Sequence, residues 1–253
     1  MEKSSPMFSQ RLAQRRGDYG FDAPHVPAII LLIGLVMLGI GLLSLLLWQS
    51  LIFGIIGLLF GVYMLLSGAS YIYTTRRGKF QVWAELLSSL NLRGDEQVLD
   101  LGTGRGAVLL MAASLLQGGK GTGVDIWKTS DQSGNARSAT QKNAEQEDVS
   151  DRIDLHTSDM RQLPFVDNSF DLVLSSLAIH NIPKREDRYK ALDEAVRVLK
   201  PGGRLIIADI GETHRYAEHL SELGMTNVTH QMLDWRFWYA WVMTKLVKAT
   251  KPS

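Results

Sequence analysis

The pattern of apolar and polar positions divides the chain in two. From Ala23 to Tyr73 run 51 residues without Asp, Glu, Lys or Arg, whereas charges recur at ordinary density on either side. Within that stretch two apolar runs, Pro27 to Trp48 and Leu51 to Tyr73, are separated only by Gln49 and Ser50. Each has the roughly 20 residues that a helix needs to cross a hydrocarbon core of about 30 Å. The pair predicts a transmembrane helical hairpin over 27–73, with Trp48 at its tip and Tyr71 and Tyr73 at its base as interfacial aromatics. Gly57 and Gly61 form a small-xxx-small pair that admits close approach of the two helices; looser packing in a glycine-rich membrane helix accounts for them equally well.

After Lys79 the period changes. Val82, Leu86, Leu87 and Leu90 carry helical spacing over Phe80–Leu90, and a turn follows at 91–94. Short apolar runs then alternate with longer amphipathic ones. Strands are predicted at Gln97–Leu101, Gly121–Ile126, Ile153–Thr157, Phe170–Ser175 and Arg204–Asp209, with helices at Ala107–Leu116, Asn135–Gln146 and Arg185–Leu199. Such alternation predicts an α/β fold, doubly wound and Rossmann-like, around a mostly parallel sheet covered on both faces. A helix near Tyr216–Leu223 and two runs, Val228–Leu233 and Val242–Ala249, break the alternation and predict an antiparallel C-terminal edge. The expected division is a segment 1–26, the hairpin 27–73 (27–48 and 51–73) and an α/β domain 74–253.

Charge adds orientation. Lys3, Arg11, Arg15 and Arg16 precede the first apolar run and Arg76, Arg77 and Lys79 follow the second, while the connecting turn has none. By the positive-inside rule both termini and the α/β domain lie in the cytosol and the chain is an integral membrane protein. The first run is too long and starts too late for a cleaved signal peptide, and a second run follows it. With 27 Lys+Arg against 26 Asp+Glu there is no basic excess of the kind that nucleic-acid binding requires. The absence of cysteine removes disulfides, zinc–thiolate sites and thiol nucleophiles, and no metal site is visible.

Chemistry concentrates where the first strand ends. Asp100-Leu-Gly-Thr-Gly-Arg-Gly106 is a glycine-rich strand-to-helix turn, which lets the backbone approach a nucleotide at the carboxyl edge of a sheet. The same residues fit a dinucleotide pattern, and Asp125 at the end of strand two suits a ribose in either class. Asp100 discriminates. A pyrophosphate favours amide donors and is repelled by a carboxylate, whereas S-adenosylmethionine has no phosphate and carries a sulfonium and an ammonium. A loop carboxylate capping nearby amides is the other reading of Asp100.

Taken together the motifs resemble class I S-adenosylmethionine-dependent methyltransferases, in the branch that includes quinone and small-molecule enzymes. Val98 to Gly106 resembles the family's first motif, Gly123-Val-Asp125 the acidic end of strand two, Thr157 to Phe165 the adenine loop, Phe170 to Ser176 strand four, and Arg197 to Leu205 the turn into strand five. The resemblance spans the α/β domain and not the hairpin. It implies that Gly102 and Gly104 pass under the methionine part of the cofactor with Asp100 nearby, and that Asp125 holds the ribose hydroxyls. It further implies that Asp159 accepts from the adenine amine, Met160 packs on the ring and Ser175 sits beside the methionyl group.

The acceptor is less defined. His180, just past strand four, is a candidate base for a hydroxyl or amine acceptor, against a plain loop histidine. Asp234-Trp-Arg-Phe-Trp-Tyr-Ala-Trp241 holds three of the six tryptophans and either roofs the acceptor pocket, dips into headgroups or covers a sheet edge. Anchoring concentrates the domain near membrane-dissolved molecules, so the expected partners are the bilayer and a small, lipid-soluble or amphipathic methyl acceptor. Oligomeric state and the methylated atom stay open. A non-catalytic S-adenosylmethionine-binding module and a nicotinamide-dependent oxidoreductase are the competing functions.

Overall fold

The structure, a computed structural model, describes residues 6–253; Lys3, counted above among the flanking charges, lies outside them. Five parallel strands form most of one sheet: β1 (Gln97–Leu101), β2 (Lys120–Asp125), β3 (Ile153–Thr157), β4 (Phe170–Ser176) and β5 (Leu199–Asp209). β6 (Thr226–Met232) and β7 (Lys245–Thr250) complete it, β7 lying antiparallel to both β5 and β6, in the order β3-β2-β1-β4-β5-β7-β6. The period of two along each strand assigns its side chains to two cores. Val98, Leu172, Leu174 and Ile206 pack under α4 (Lys79–Ser89) and α5 (Ala107–Leu115), and α6 (Arg137–Gln146) adds Ala144 to that face. Leu99, Leu101, Val173, Leu205 and Ile207 pack under α7 (Arg185–Val198) and α8 (Thr213–Glu222). The Rossmann-like sheet and its antiparallel edge are those predicted.

Most element ends fall within a residue or two of expectation. Three depart further: α8 begins at Thr213 rather than near Tyr216, the run Val242–Ala249 splits so that Val242–Met243 pairs with Trp238–Tyr239 and β7 begins at Lys245, and β5 begins at Leu199 rather than Arg204. Lys200–Gly203 is absorbed as an irregularity opposite Phe170 and Leu172, with Gly202 at φ +74°.

The apolar stretch forms α2 (His25–Leu46) and α3 (Leu51–Tyr73), both long and apolar enough to cross a membrane by length and composition. They lie in backbone contact. A Cβ on Gly57 would stand 2.8 Å from the Cα of Gly41, and one on Gly61 2.9 Å from the carbonyl oxygen of Gly34. The outward faces remain uncovered: Leu32, Leu35, Ile52, Leu59 and Leu66 are each 60 % exposed or more.

Two features depart from the expected division. No linker stands at 73/74: α3 runs through a single π-helical turn, Thr74–Gly78, directly into α4. That widened turn receives a distant segment. The Thr74 hydroxyl donates to the carbonyl of Trp238 at 2.5 Å, and Gly78 lies so close to the carbonyl of Arg236 that any Cβ would overlap it. Nor is the N-terminal stretch independent of the α/β domain. After α1 (Pro6–Ala13) it lies across that domain as a strap, with Leu12 and Tyr19 joining the core. Arg16 pairs with Asp148, the Tyr19 hydroxyl donates to Glu147 at 2.9 Å, and Arg105 donates to Asp18 at 3.0 Å. Burial and the Glu147 carboxylate push the Tyr19 phenol far above its usual range.

Candidate active site

The sheet reverses its strand order between β1 and β4, the crevice where open α/β folds bind ligands at the carboxyl ends of strands. A cavity of about 740 Å³ occupies that position. Its floor is the glycine loop. Gly102, at φ +71°, sits under Ala178, and a Cβ there would come within 2.2 Å of the Ala178 methyl; the conformation and the contact both require glycine. The amides of Gly102 and Thr103 donate to the carbonyl of Val124, tying the loop to β2.

Asp100 is held beneath this loop. Its Oδ2 accepts from the Thr103 hydroxyl at 3.0 Å and the Leu109 amide at 3.1 Å, while its buried Oδ1 has no partner among the described residues. Burial pushes its pKa up to about 7. An acceptor left in this state invites a cation or donor from the cavity and would repel a phosphate. The donor set thus suits the charge pattern of S-adenosylmethionine and opposes that of a pyrophosphate cofactor.

Asp125 closes the loop from β2, accepting from the Gly104 amide at 2.7 Å and the Trp127 amide at 2.6 Å. Asp159 and Met160 line the next stretch of wall. Asp159 is clasped by the Arg161 guanidinium and amide, which hold its carboxyl below the usual range. Asp100, Gly102, Gly104, Asp125, Asp159, Met160 and His180 therefore all face one cavity.

Ser175 does not. It is fully buried, and its hydroxyl donates to the carbonyl of Leu101 at 3.1 Å, bracing β4 against β1. The next residue alternates to the other side of the pleat, so Ser176 lines the cavity and accepts from the Trp83 indole at 2.9 Å.

His180 lies in a short 3-10 turn after β4. Its Nδ1 is 2.5 Å from Oδ1 of Asp209, and its amide donates to Oδ2 at 3.1 Å. Asp209 is fully buried at the end of β5 and also accepts from the Ile210 amide at 2.7 Å. With the proton on Nδ1 directed to the carboxylate, Nε2 is the basic nitrogen of a ring that lines the cavity. Sequence reasoning missed Asp209, although an acidic residue at the carboxyl end of a parallel strand was a readable signal.

The far wall is assembled from remote segments. Asp22, on the strap, accepts from Lys79 Nζ at 2.8 and 2.7 Å, from the Tyr239 hydroxyl at 2.6 Å and from the Gln132 amide group at 3.2 Å. The Tyr71 hydroxyl donates to its carbonyl at 3.1 Å. Burial first, then the Asp22 charge, drives the Tyr239 phenol well above its usual range. Gln132 also accepts from the Arg105 amide at 2.8 Å, which links this cluster to the glycine loop. No local pattern marked Asp22 or Gln132; Tyr239 belongs to the aromatic run 234–241, from which Tyr239 and Trp241 line the cavity.

With this geometry in hand, the likenesses to known proteins are specific. Residues 99–207 match the family model described as a methyltransferase domain. The 27-O-demethylrifamycin SV methyltransferase of Amycolatopsis mediterranei is 34 % identical over 157 residues, which cover 59 % of this chain and 53 % of that protein. The demethylmenaquinone methyltransferase of Lactiplantibacillus plantarum is 33 % identical over 129 residues, 51 % of each chain. The chain thus spans about half the length of these relatives. In fold it is similar to the phosphoethanolamine N-methyltransferase 2 of Haemonchus contortus, solved with phosphomonomethylethanolamine and S-adenosylhomocysteine. The TM-score is 0.57 at 17 % identity, over 73 % of this chain and 57 % of that one. Residues 99–207 are thus similar to a methyltransferase domain, on a chain whose described residues include two long apolar helices.

Proposed function

We propose that the protein is anchored in a membrane by the α2–α3 hairpin and methylates a small lipid-soluble or amphipathic acceptor on the cytosolic side. One observation carries this reading. The cavity lined by Asp100 and Gly102 is also lined by Val26 and Ile30 of α2 and Tyr71 of α3, so the glycine loop and the apolar hairpin border the same space.

Within that space Gly102 and Gly104 would pass beneath the methionine part of S-adenosylmethionine, and Asp100 would supply the anionic partner for its cationic groups. Asp125 would exchange its loop amides for ribose hydroxyls, and Asp159 and Met160 would take the adenine. When bound, the cofactor supplies an already activated methyl group, so the protein's task is to position the acceptor and exclude water. His180, oriented by Asp209, takes the proton that a hydroxyl or amine acceptor loses. Relatives named as methyltransferases of demethylmenaquinone and of 27-O-demethylrifamycin SV support an acceptor that is a small molecule.

The test is transfer of labelled methyl from S-adenosylmethionine to components of native membranes, with an Asp100→Ala, Asp125→Ala chain beside it. Label entering the organic phase only with the wild-type chain is the expected result. Label confined to the aqueous phase would remove the lipid-soluble acceptor, and none in either phase would remove the transfer.

A further inference from the structure

We infer that the acceptor reaches His180 from inside the lipid, through an opening between α2 and a short ribbon formed by Trp238–Tyr239 and Val242–Met243. This rests on the membrane-anchored transfer proposed above. The acceptor it selects is an amphiphile: a compact head bearing the nucleophilic atom, and a hydrocarbon tail that stays in the bilayer during reaction.

The argument begins with depth. The ribbon runs along α3 rather than over the sheet. At its root the Trp235 ring stacks on Tyr73, with centroids 5.3 Å apart and planes 19° apart. At its tip the Trp241 ring stacks on Tyr63 at 6.5 Å and 20°. Ten residues of helix separate Tyr63 from Tyr73, about 15 Å along the axis, or half of a hydrocarbon core of about 30 Å. If α3 crosses the membrane, the tip of the ribbon lies well below the headgroups.

Its chemistry matches that depth. From Phe237 to Met243 there is no ionisable group except the Tyr239 phenol, which is turned inward to Asp22. Trp241 and Met243 are exposed, and the backbone is paired within the ribbon itself, as apolar surroundings require. In sequence the ribbon is flanked by Arg236, held by Glu85 at 2.6 and 2.7 Å, and by Lys245, while the Asp22–Lys79 pair meets it on its inner side through the Tyr239 hydroxyl. The ribbon's exposed side chains Trp241 and Met243 carry no charge.

The same ribbon is a wall of the cavity. Tyr239, Trp241 and Val242 line it from one side; Val26 and Ile30, in the first turns of α2, line it from the other. Ile29 and Ile33, neighbours of Ile30 on α2, are 52 % and 38 % exposed on the face outside. The inner end holds the His180–Asp209 pair, and the outer end is apolar and lies at lipid depth. A tail can remain in hydrocarbon while its head advances to the histidine.

The chain has no cysteine, so one introduced at a chosen position takes a unique label. Trp241→Cys and, as a water-exposed control on α8, Glu222→Cys would each carry a nitroxide in full-length protein reconstituted into phosphatidylcholine vesicles. Collision with oxygen should exceed collision with a water-soluble nickel chelate at position 241 and fall below it at 222. In native membranes, Val242→Trp, which narrows the opening, should lower organic-phase methyl transfer at least tenfold while S-adenosylmethionine binding by calorimetry is unchanged. Nickel access at 241 equal to that at 222, or wild-type transfer by a Val242→Trp chain, overturns the route and leaves the transfer reaction standing. No organic-phase label from the wild-type chain defeats the reaction and the route together. A Val242→Trp chain that has lost cofactor binding is misfolded, and label depth at position 241 then decides.

Discussion

The two ends of the cavity are built in opposite ways. The cofactor end comes largely from one stretch of sequence: Asp100 to Leu109 supplies the loop, the buried carboxylate and two of that carboxylate's partners. The far end, the proposed acceptor side, has no such continuity. Asp22, Tyr71, Lys79 and Tyr239 meet there from the strap, the hairpin, α4 and the C-terminal ribbon, Asp22 and Tyr239 standing 217 positions apart in sequence. The contrast reflects their origins. Strand, glycine and helix geometry set the loop locally, whereas the far wall, the proposed acceptor side, exists only where strap, hairpin, α4 and ribbon meet.

The comparison is sharpened most by the pair standing between the two ends. His180→Ala should lower kcat by about 10²–10⁴, the range for loss of a positioned base, with cofactor affinity unchanged. Asp209→Asn should lower it less, through the wrong ring tautomer. The double variant should be little worse than His180→Ala, because the two act as a unit. Rates fitted from labelled transfer into the membrane extract decide this. Additive losses would show that Asp209 acts independently of the ring.

Next comes the acceptor wall itself. Lys79 and Asp22 form an ion pair whose side chains are only 6 % and 16 % exposed. Lys79→Met leaves the Asp22 charge buried without its cation and should cost about 3–5 kcal/mol. Thermal unfolding of the solubilised chain should record a midpoint lower by on the order of 10 °C. Lys79→Met with Asp22→Leu should recover much of the loss, since no stranded charge remains. If the single variant melts within about 1 °C of wild type, the cluster is not what joins the strap, hairpin and ribbon.

These differences explain what was legible beforehand. The hairpin could be read because 51 uncharged residues leave few other structures, and the sheet because its strands and glycine turns are local patterns. Asp100, Gly102, Gly104 and Asp125 followed from the same local motifs. Ser175 was misplaced by one step of the pleat: period two sends Ser176 to the cavity and Ser175 into the core. Asp209 stood in plain view at a strand end, yet its meaning depends on a loop 29 residues away. The strap was least legible, because Arg16, Asp18 and Tyr19 acquire partners more than 80 residues distant and their own neighbours say nothing of it.

The smallest effect tests the cofactor end and has a definite sign. With its pKa pushed up to about 7 by burial, Asp100 keeps a proton below that pH in the folded chain, while the unfolded chain releases it near the ordinary aspartate value of 3.8. Folded Asp100 therefore binds more protons than unfolded between about pH 4 and 7, and its contribution to stability declines as pH rises through that window. Cofactor binding runs the other way. A sulfonium or ammonium beside Oδ1 favours the ionised carboxylate, so binding below pH 7 must expel the proton. Affinity for S-adenosylmethionine should weaken by up to about tenfold per unit as pH falls below 7, and level off above it. Asp100→Asn should bind more weakly at pH 8 and lose most of that slope. Calorimetry across pH 5.5–8 in buffers of different ionisation enthalpy also counts the released proton. An unchanged slope in Asp100→Asn would assign the titration to another group and leave Asp100 a structural cap of the loop.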